Sequence, residues 1–365
     1  MASKPVSPPV RPFLEPFHGR VAATPPIWLM RQAGRYLPEY RALRARAGGF
    51  LELVYDPASA AEVTLQPIRR YGFDAAILFS DILVVPDALG QTVRFAEGEG
   101  PLLDPIRDSG DLDRLQLAAT RLKFAKVAET VARLRRDLPA ETALMGFCGA
   151  PWTVATYMVE GRGSKDQAAA RLWAYRDRDG FAALIDILVE SSIDYLSQQV
   201  AAGADALQIF DTWAGSLPDD ELERWVVEPT TRIVAAMKAA HPDVPIIGFP
   251  RGVQGAALWY ATETGVDGVG CDTAMPPYMM AEAFVGEKRV WGASEAETIV
   301  VQGNLDPLLL VAGGEALEAR AEEILDLMAG QPFVFNLGHG IVPQTPPENV
   351  ARLVEVVRNW TPDSA

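Results

Sequence analysis

The chain has 365 residues, of which 49% are hydrophobic and 22% are charged, as in an ordinary globular protein. Its net charge of −15 leaves no basic excess to displace the counterions of a nucleic acid, so nucleic acid is excluded as a general partner. No apolar run approaches the length of a membrane-spanning helix, so we also expect no membrane insertion.

The N-terminal segment is rich in proline and lacks the apolar stretch of a signal peptide. We expect residues 1–16 to form a flexible arm and residues 17–365 to form a single domain. The two cysteines, Cys148 and Cys271, have neither the pairing of a disulfide framework nor the spacing of a zinc site. Buried, reduced thiols are expected, and these fit a reducing cytoplasm.

The segment from Ile27 to Tyr40 combines a short apolar run with two arginines. The run Ile27–Met30 predicts a buried strand, which extends over residues 27–31. Arg31 and Arg35 follow, and Gly34 between them permits a tight turn that brings both guanidinium groups to one side. Two such groups together are suited to binding carboxylates or phosphates, although a solvated helix start is the alternative interpretation.

One local pattern occurs three times: a Gly-x-Asp turn, a short buried strand, and an acid directly after the strand. The acids that follow the three strands are Asp81, Asp211 and Asp272. Helical stretches separate the repeats, as expected for a parallel sheet. Eight strands are predicted in chain order, near residues 27–31, 75–80, 143–148, 205–210, 245–249, 267–271, 299–303 and 333–337.

Eight strands with intervening helices predict a single (β/α)8 TIM-type barrel, with a doubly wound open sheet as the alternative. The segment 84–110 departs from the rhythm, and we predict an extra loop or hairpin insertion there. In such barrels the chemistry lies at the carboxyl ends of the strands. Those ends carry unusual residues in this chain, including Arg31, Asp81, Asp211, Arg251 and His339.

Several sequence blocks resemble one enzyme family. Ile27–Tyr40 resembles the N-terminal signature of the uroporphyrinogen decarboxylases, and Gly146–Thr153 resembles their second signature. Phe79–Leu83 and Asn336–Gly340 also match the pattern of that family. The matching blocks run from residue 27 to residue 340, so the resemblance covers almost the whole chain.

The resemblance implies a cytoplasmic homodimer of barrels that needs no metal or other cofactor. Its substrate would be uroporphyrinogen III, whose four acetate side chains lose CO2 to give coproporphyrinogen III in heme biosynthesis. Asp81 would bind the pyrrole nitrogens and stabilise the transition state, and Arg31 would share the catalytic role. The residues that the resemblance places in the substrate site are Arg31, Gln32, Ala33, Gly34, Arg35, Asp81, Tyr157, Thr212 and His339.

The residues themselves also suit this chemistry. Loss of CO2 from an acetate arm leaves a carbanion, and a ring-protonated pyrrole can accept its electrons. A fixed carboxylate in a dry site would stabilise that cation, and Asp81 is the candidate, unless it only caps the next helix. Tyr157 and His339 are open to structural roles, and Thr212 to helix capping. The proton donor stays open among Arg31, Tyr157, His339 and a bound water.

Three alternative functions would each require different sequence features. A corrinoid- or coenzyme M-linked methyltransferase would need a zinc site with a His-x-Cys motif, and the sequence contains none. A tetrapyrrole carrier would need the arginines but not Asp81. A phosphate-binding barrel would use the glycines around His339, but the prolines that follow lack amide donors.

Overall fold

The structure, a computed structural model, describes residues 10–96, 100–284 and 299–362. Seven of its strands form a parallel sheet in which each strand pairs with the sheet strand that follows it in the sequence. The strands are β1 (Ala75–Ile77), β2 (Val93–Ala96), β3 (Gly100–Leu103), β4 (Ala143–Gly149), β5 (Ala206–Asp211), β6 (Ile246–Pro250), β7 (Gly268–Gly270), β8 (Val300–Leu305) and β9 (Phe333–Leu337). The sheet contains all of them except β2 and β3, in the order β1-β4-β5-β6-β7-β8-β9.

A short extended segment at Ile27 closes the sheet into a barrel. Ile27 forms a parallel bridge with Phe335 of β9, and its carbonyl accepts the amide of Asp74, next to β1, at 3.0 Å. The (β/α)8 prediction is therefore confirmed. The strand predicted over 27–31 is reduced to this bridge, because the Met30 amide bonds the Asn336 side chain at 3.0 Å and Arg31 takes a left-handed conformation.

Helices cover the outside of the barrel, and their apolar faces pack on the strands. The α-helices are α1 (Pro38–Arg44), α2 (Phe50–Val54), α3 (Pro57–Tyr71), α4 (Val84–Ala88), α5 (Arg121–Asp137), α6 (Pro151–Glu160), α7 (Ala168–Arg176), α8 (Arg178–Ala201), α9 (Asp219–Leu222), α10 (Glu228–Ala240), α11 (Ala257–Thr264), α12 (Pro277–Phe284), α13 (Pro307–Ala312), α14 (Gly314–Leu327) and α15 (Pro347–Asn359). The barrel interior holds buried amides, and Gln302 accepts the Trp28 indole N–H at 2.9 Å.

The predicted insertion is present. Strands β2 and β3 pair antiparallel as a hairpin between the first and second full strands of the barrel sheet. Its second strand is bonded to the chain after α6: the Leu103 amide donates to the Gly161 carbonyl at 2.8 Å, and Leu102 forms a bridge with Arg162. The hairpin therefore lies at the carboxyl-end face of the barrel, next to α6.

The aspartates of the three Gly-x-Asp turns all bind backbone amides at the opposite face of the barrel, where the strands begin. Each accepts, on its side chain, the amide of a residue at the start of the preceding strand segment. The pairs, with their distances, are Asp74 with Ile27 (2.7 Å), Asp205 with Leu144 (2.8 Å) and Asp267 with Ile246 (2.8 Å). These acids satisfy amides that would otherwise lack a partner at the end of the sheet.

The predicted arm differs from the structure over the residues that are described. Pro12–His18 form a 3₁₀ helix with Phe13 fully buried, and Arg11 pairs with Asp205 at 2.5 Å. Residues 11–16 are therefore packed under the barrel, because the Phe13 ring and the Arg11 charge both have partners there, whereas Val10 is exposed. Residues 1–9 lie outside the described part of the chain.

Candidate active site

Five segments of the barrel deliver the predicted site residues to its carboxyl-end face. Arg31 follows the closing segment, Asp81 follows β1, and Thr212 follows β5 directly. Tyr157 lies in α6 after β4, and His339 lies just after β9. These residues are distant in sequence but share one face of the molecule, as the parallel-strand pattern predicts.

Asp81 begins the turn after β1 and is partly buried. Its side chain accepts the Leu83 amide at 2.8 Å, so it does organise the turn before α4. Burial raises its pKa to about 6, while the Leu83 amide and the Arg31 charge act in the opposite direction. A carboxylate that is costly to keep ionised is stabilised by a cation brought beside it.

Arg31 is the charge that links the group. Burial raises the pKa of Asp81 and Tyr157 and the Arg31 charge opposes that rise, whereas at His339 burial lowers the pKa and the Arg31 charge acts in the same direction. The backbone at Arg31 has φ 60°, a conformation uncommon for a residue with a side chain. Gly340 lies against the Arg31 side chain, where a Cβ would overlap with Cγ and Cδ. The position of this arginine is thus built into the fold.

Tyr157 presents a phenol toward the same site. Burial and the nearby Asp81 charge raise its pKa, so the hydroxyl keeps its proton. Its ring lies 6.4 Å from that of Trp213, in the loop after β5. A protonated hydroxyl at this position is a hydrogen-bond donor for a carboxylate.

The surroundings of His339 favour its neutral form. Burial lowers its pKa to about 3, and the charges of Arg31 and Arg251 act in the same direction. The ring stacks on Phe249, with centroids 6.4 Å apart and planes 9° apart. The protonated form considered from the sequence is therefore disfavoured without a bound anion, although a neutral imidazole still donates one N–H.

The residues of the loop between Arg31 and Arg35 differ in how deeply they are buried. Gln32 is fully buried, with its side chain accepting the Leu29 amide at 3.2 Å and donating to the Ala75 carbonyl at 3.1 Å. Its side chain therefore holds the loop onto β1 and is not available to a ligand. Ala33 and Gly34 are partly buried, and Arg35 is exposed, so these three are accessible. Arg35 forms no ion pair with any residue in the described ranges.

The loop after β5 is held by a buried acid, Asp211, which was only a weak candidate in the sequence. Asp211 is fully buried and accepts the Thr153 hydroxyl at 2.5 Å, and Thr153 in turn accepts the Trp213 amide at 3.0 Å. Burial raises the pKa of Asp211 to about 7. The partly exposed Thr212 lies between these bonded positions. The only signal in the sequence was an acid at a strand end, because Thr153 is far away in the chain.

A second acid ties two neighbouring loops together. Asp272, after β7, accepts the Gly252 amide and, at 2.7 Å, the Ala274 amide. It thereby fixes the loop that carries Arg251. In the described ranges no three His, Cys, Asp or Glu side chains are grouped as metal ligands would be. Both cysteines are free and buried, as predicted.

The fold and this site define a class of protein: a (β/α)8-barrel enzyme with arginines and a partly buried carboxylate, Asp81, at its catalytic face. Such a site suits an anionic ligand in which positive charge develops during the reaction. A family model described as "Uroporphyrinogen decarboxylase (URO-D)" matches residues 9–360. The chain belongs to the uroporphyrinogen decarboxylase family.

Individual relatives agree with this. The chain is 54% identical over 349 residues to the uroporphyrinogen decarboxylase of Rhodospirillum rubrum, covering 95% of this chain and 97% of that one. It is 55% identical over 333 residues to that of Sphingopyxis alaskensis, covering 91% and 94%. Among solved structures, a methyltransferase from Methanosarcina mazei superposes with a TM-score of 0.76 at 21% identity, covering 94% and 96% of the two chains. That likeness shows the fold alone.

Proposed function

We propose that this protein is a uroporphyrinogen decarboxylase that removes the four acetate carboxyl groups of uroporphyrinogen III, giving coproporphyrinogen III and four CO2. The observation that carries the proposal is the presence of the Asp81 carboxylate and the Arg31 charge that acts on it at the barrel's catalytic face, in a chain that belongs to this family over residues 9–360. The enzyme is a carboxy-lyase of heme biosynthesis.

The geometry supports a mechanism in which Asp81 stabilises a cation. Protonation of a pyrrole ring carbon makes that ring an electron sink, and the C–CO2 bond of the acetate then breaks toward it. The methylene carbon next takes up a proton, and the ring carbon loses one, so that a methyl group results. Asp81 accepts the pyrrole N–H groups and balances the ring charge.

Arg31 acts beside it by holding the reacting carboxylate. Its guanidinium offers paired donors to a carboxylate, and Gly340 fixes where they point. We assign the remaining substrate contacts to Arg35, the 32–34 loop, Tyr157, Thr212 and His339. For Gln32 the contact would be through its backbone or through support of the loop, because its side chain is bonded inside the barrel.

The setting of the reaction is part of the proposal. We expect no metal or other cofactor, a homodimer, a cytoplasmic location and one catalytic domain over residues 17–365. No helix in the described ranges combines the length and apolarity that crossing a membrane requires. Two buried free thiols suit a reducing compartment.

The test is product analysis. Purified protein, stripped of metals by a chelator, is incubated with anaerobically prepared uroporphyrinogen III, and products are resolved by carboxyl number. Successive seven-, six-, five- and four-carboxyl products are expected. Unchanged eight-carboxyl substrate, with a folded protein, would contradict the proposed function.

A further inference from the structure

A cavity next to the proposed active site has no assigned role. Its volume is about 590 Å³, and it is lined by Pro101, Leu102, Tyr157, Arg162 and Gly163. One wall is strand β3 of the hairpin, and the other is the chain that leaves α6. Tyr157 belongs both to this cavity and to the group around Asp81, so the two spaces adjoin at its phenol.

The backbone at Arg162 is held in place. Gly161 ends α6 in the left-handed conformation, with φ 74°, and its carbonyl accepts the Leu103 amide at 2.8 Å. Arg162 itself forms the bridge with Leu102. The arginine side chain is exposed and projects from an anchored position at the rim of the cavity.

Among the described residues, three acids close to Arg162 in the sequence or on the hairpin have other partners. Glu160 accepts the Ala169 amide at the start of α7 at 2.8 Å, and Asp166 accepts the Ala168 amide at 3.3 Å. On the hairpin, Asp104 pairs with Arg94 at 3.1 Å. Within the described ranges Arg162 has no carboxylate partner, although three acids lie close to it along the chain or across the hairpin.

We propose that this cavity is a subsite for a carboxylate-bearing arm of the macrocycle, and that Arg162 is its specificity-determining residue. The proposal rests on the proposed function. The apolar wall of Pro101 and Leu102 packs against the methylene groups or a pyrrole face, while Arg162 and the Tyr157 hydroxyl bind the terminal carboxylate. An anchored guanidinium that has no carboxylate partner within the described ranges attracts an anion locally and offsets the repulsion from a protein of net charge −15.

The test compares Arg162→Gln and Arg162→Lys with Arg136→Gln, an exposed arginine on α5 that forms no ion pair in the described ranges. The control removes the same charge from a distant surface. Because a charge-assisted bond at a partly hydrated site is lost, Arg162→Gln should raise the KM for uroporphyrinogen III roughly tenfold, with kcat within about twofold of wild type. Arg162→Lys should give an intermediate KM, and Arg136→Gln should match wild type.

The outcomes separate this proposal from the function itself. Equal KM values for Arg162→Gln and Arg136→Gln would overturn the subsite while leaving the decarboxylase standing. If the wild type shows no turnover, the proposed function fails, and anaerobic equilibrium dialysis with uroporphyrinogen III then tests the subsite alone. Weaker binding by Arg162→Gln than by Arg136→Gln would support it, and equal binding would overturn it.

Discussion

Gly340 lies directly against the side chain of Arg31, so that a Cβ at position 340 would overlap with Cγ and Cδ and lie 2.9 Å from Nε. The glycine follows His339 in the loop after β9, and Arg31 follows the segment that closes the barrel. Two loops from opposite ends of the chain therefore set the direction of one guanidinium group. Its position is as much a property of residue 340 as of residue 31.

Gly340→Ala should impair catalysis without unfolding the protein. The methyl group displaces Arg31 from the reacting carboxylate, and a misplacement of about 1 Å is worth roughly 10–100-fold in kcat/KM. Gly255→Ala is the matched control, since a Cβ there meets nothing within 4 Å and the residue has no positive φ. Steady-state kinetics of both variants give the answer, and equal kcat/KM values would contradict the account of Arg31.

The acid limb of the pH profile should belong to Asp81. Its pKa is raised to about 6, and only the ionised form balances a cationic pyrrole, so kcat/KM should fall as pH drops below about 6. His339 has its pKa lowered to about 3 and stays neutral from pH 5 to pH 8. Replacing it by asparagine should therefore lower affinity but leave the limb in place. A limb that disappears in His339→Asn would assign it to the histidine instead.

Asp211→Asn should stabilise the protein increasingly as pH rises. Burial raises the pKa of Asp211 from 3.8 to about 7, so the folded state holds this proton more tightly than the unfolded chain. The stability that comes from the protonated acid is complete below about pH 4 and is lost as pH rises through about 7. Asparagine does not titrate and avoids that loss.

Urea unfolding at pH 5 and pH 8 measures this effect. The difference in free energy of unfolding, Asp211→Asn minus wild type, should be more favourable to the variant at pH 8. Asp186→Asn serves as the control, because that carboxylate is 59% exposed and should show no such change. The same difference at both pH values would show that Asp211 does not titrate as described.

Asp205 should contribute to stability and not to catalysis. Its carboxylate accepts the Leu144 amide at 2.8 Å and pairs with Arg11 at 2.5 Å and Arg135 at 2.7 Å, at 13% exposure. Asp205→Ala leaves a buried amide and two cations without their acceptor, which should cost about 1–3 kcal/mol of unfolding free energy. Removing the exposed Asp186–Arg232 pair by Asp186→Ala should cost less than about 1 kcal/mol.

Activity separates the two faces of the barrel. At a temperature where Asp205→Ala is still folded, its kcat and KM should equal those of wild type, because the residue lies at the amino ends of the strands. A specific loss of kcat in the folded variant would contradict this division.

The sequence predicted the barrel well because its strands are buried on both sides and read as short apolar runs. The hairpin was also predicted, since glycines and Val93-Arg94-Phe95 break the helical rhythm. The segment 27–31 was harder, because an apolar run has the same composition in a strand and in a buried turn.

Some features of the candidate site were predictable from the sequence, and others were not. Arginines and acids at strand ends were identified from their positions, and the structure brings Arg31, Asp81, Tyr157 and His339 together. The inward direction of Gln32 was not predictable, since a polar residue in a turn ordinarily faces solvent. The lowered pKa of His339 was not predictable either, because it depends on burial and on the Arg251 charge, and both follow from the three-dimensional arrangement of the loops.

The central claim is that the Asp81 carboxylate stabilises the cationic pyrrole, and Asp81→Asn tests it most directly. Asparagine keeps the size of the side chain and can still accept the Leu83 amide, but it cannot carry the charge. In the anaerobic, product-resolved assay, the folded variant should bind uroporphyrinogen III yet form seven-carboxyl product about 10²–10³-fold more slowly than wild type. Turnover by Asp81→Asn at the wild-type rate would contradict the account.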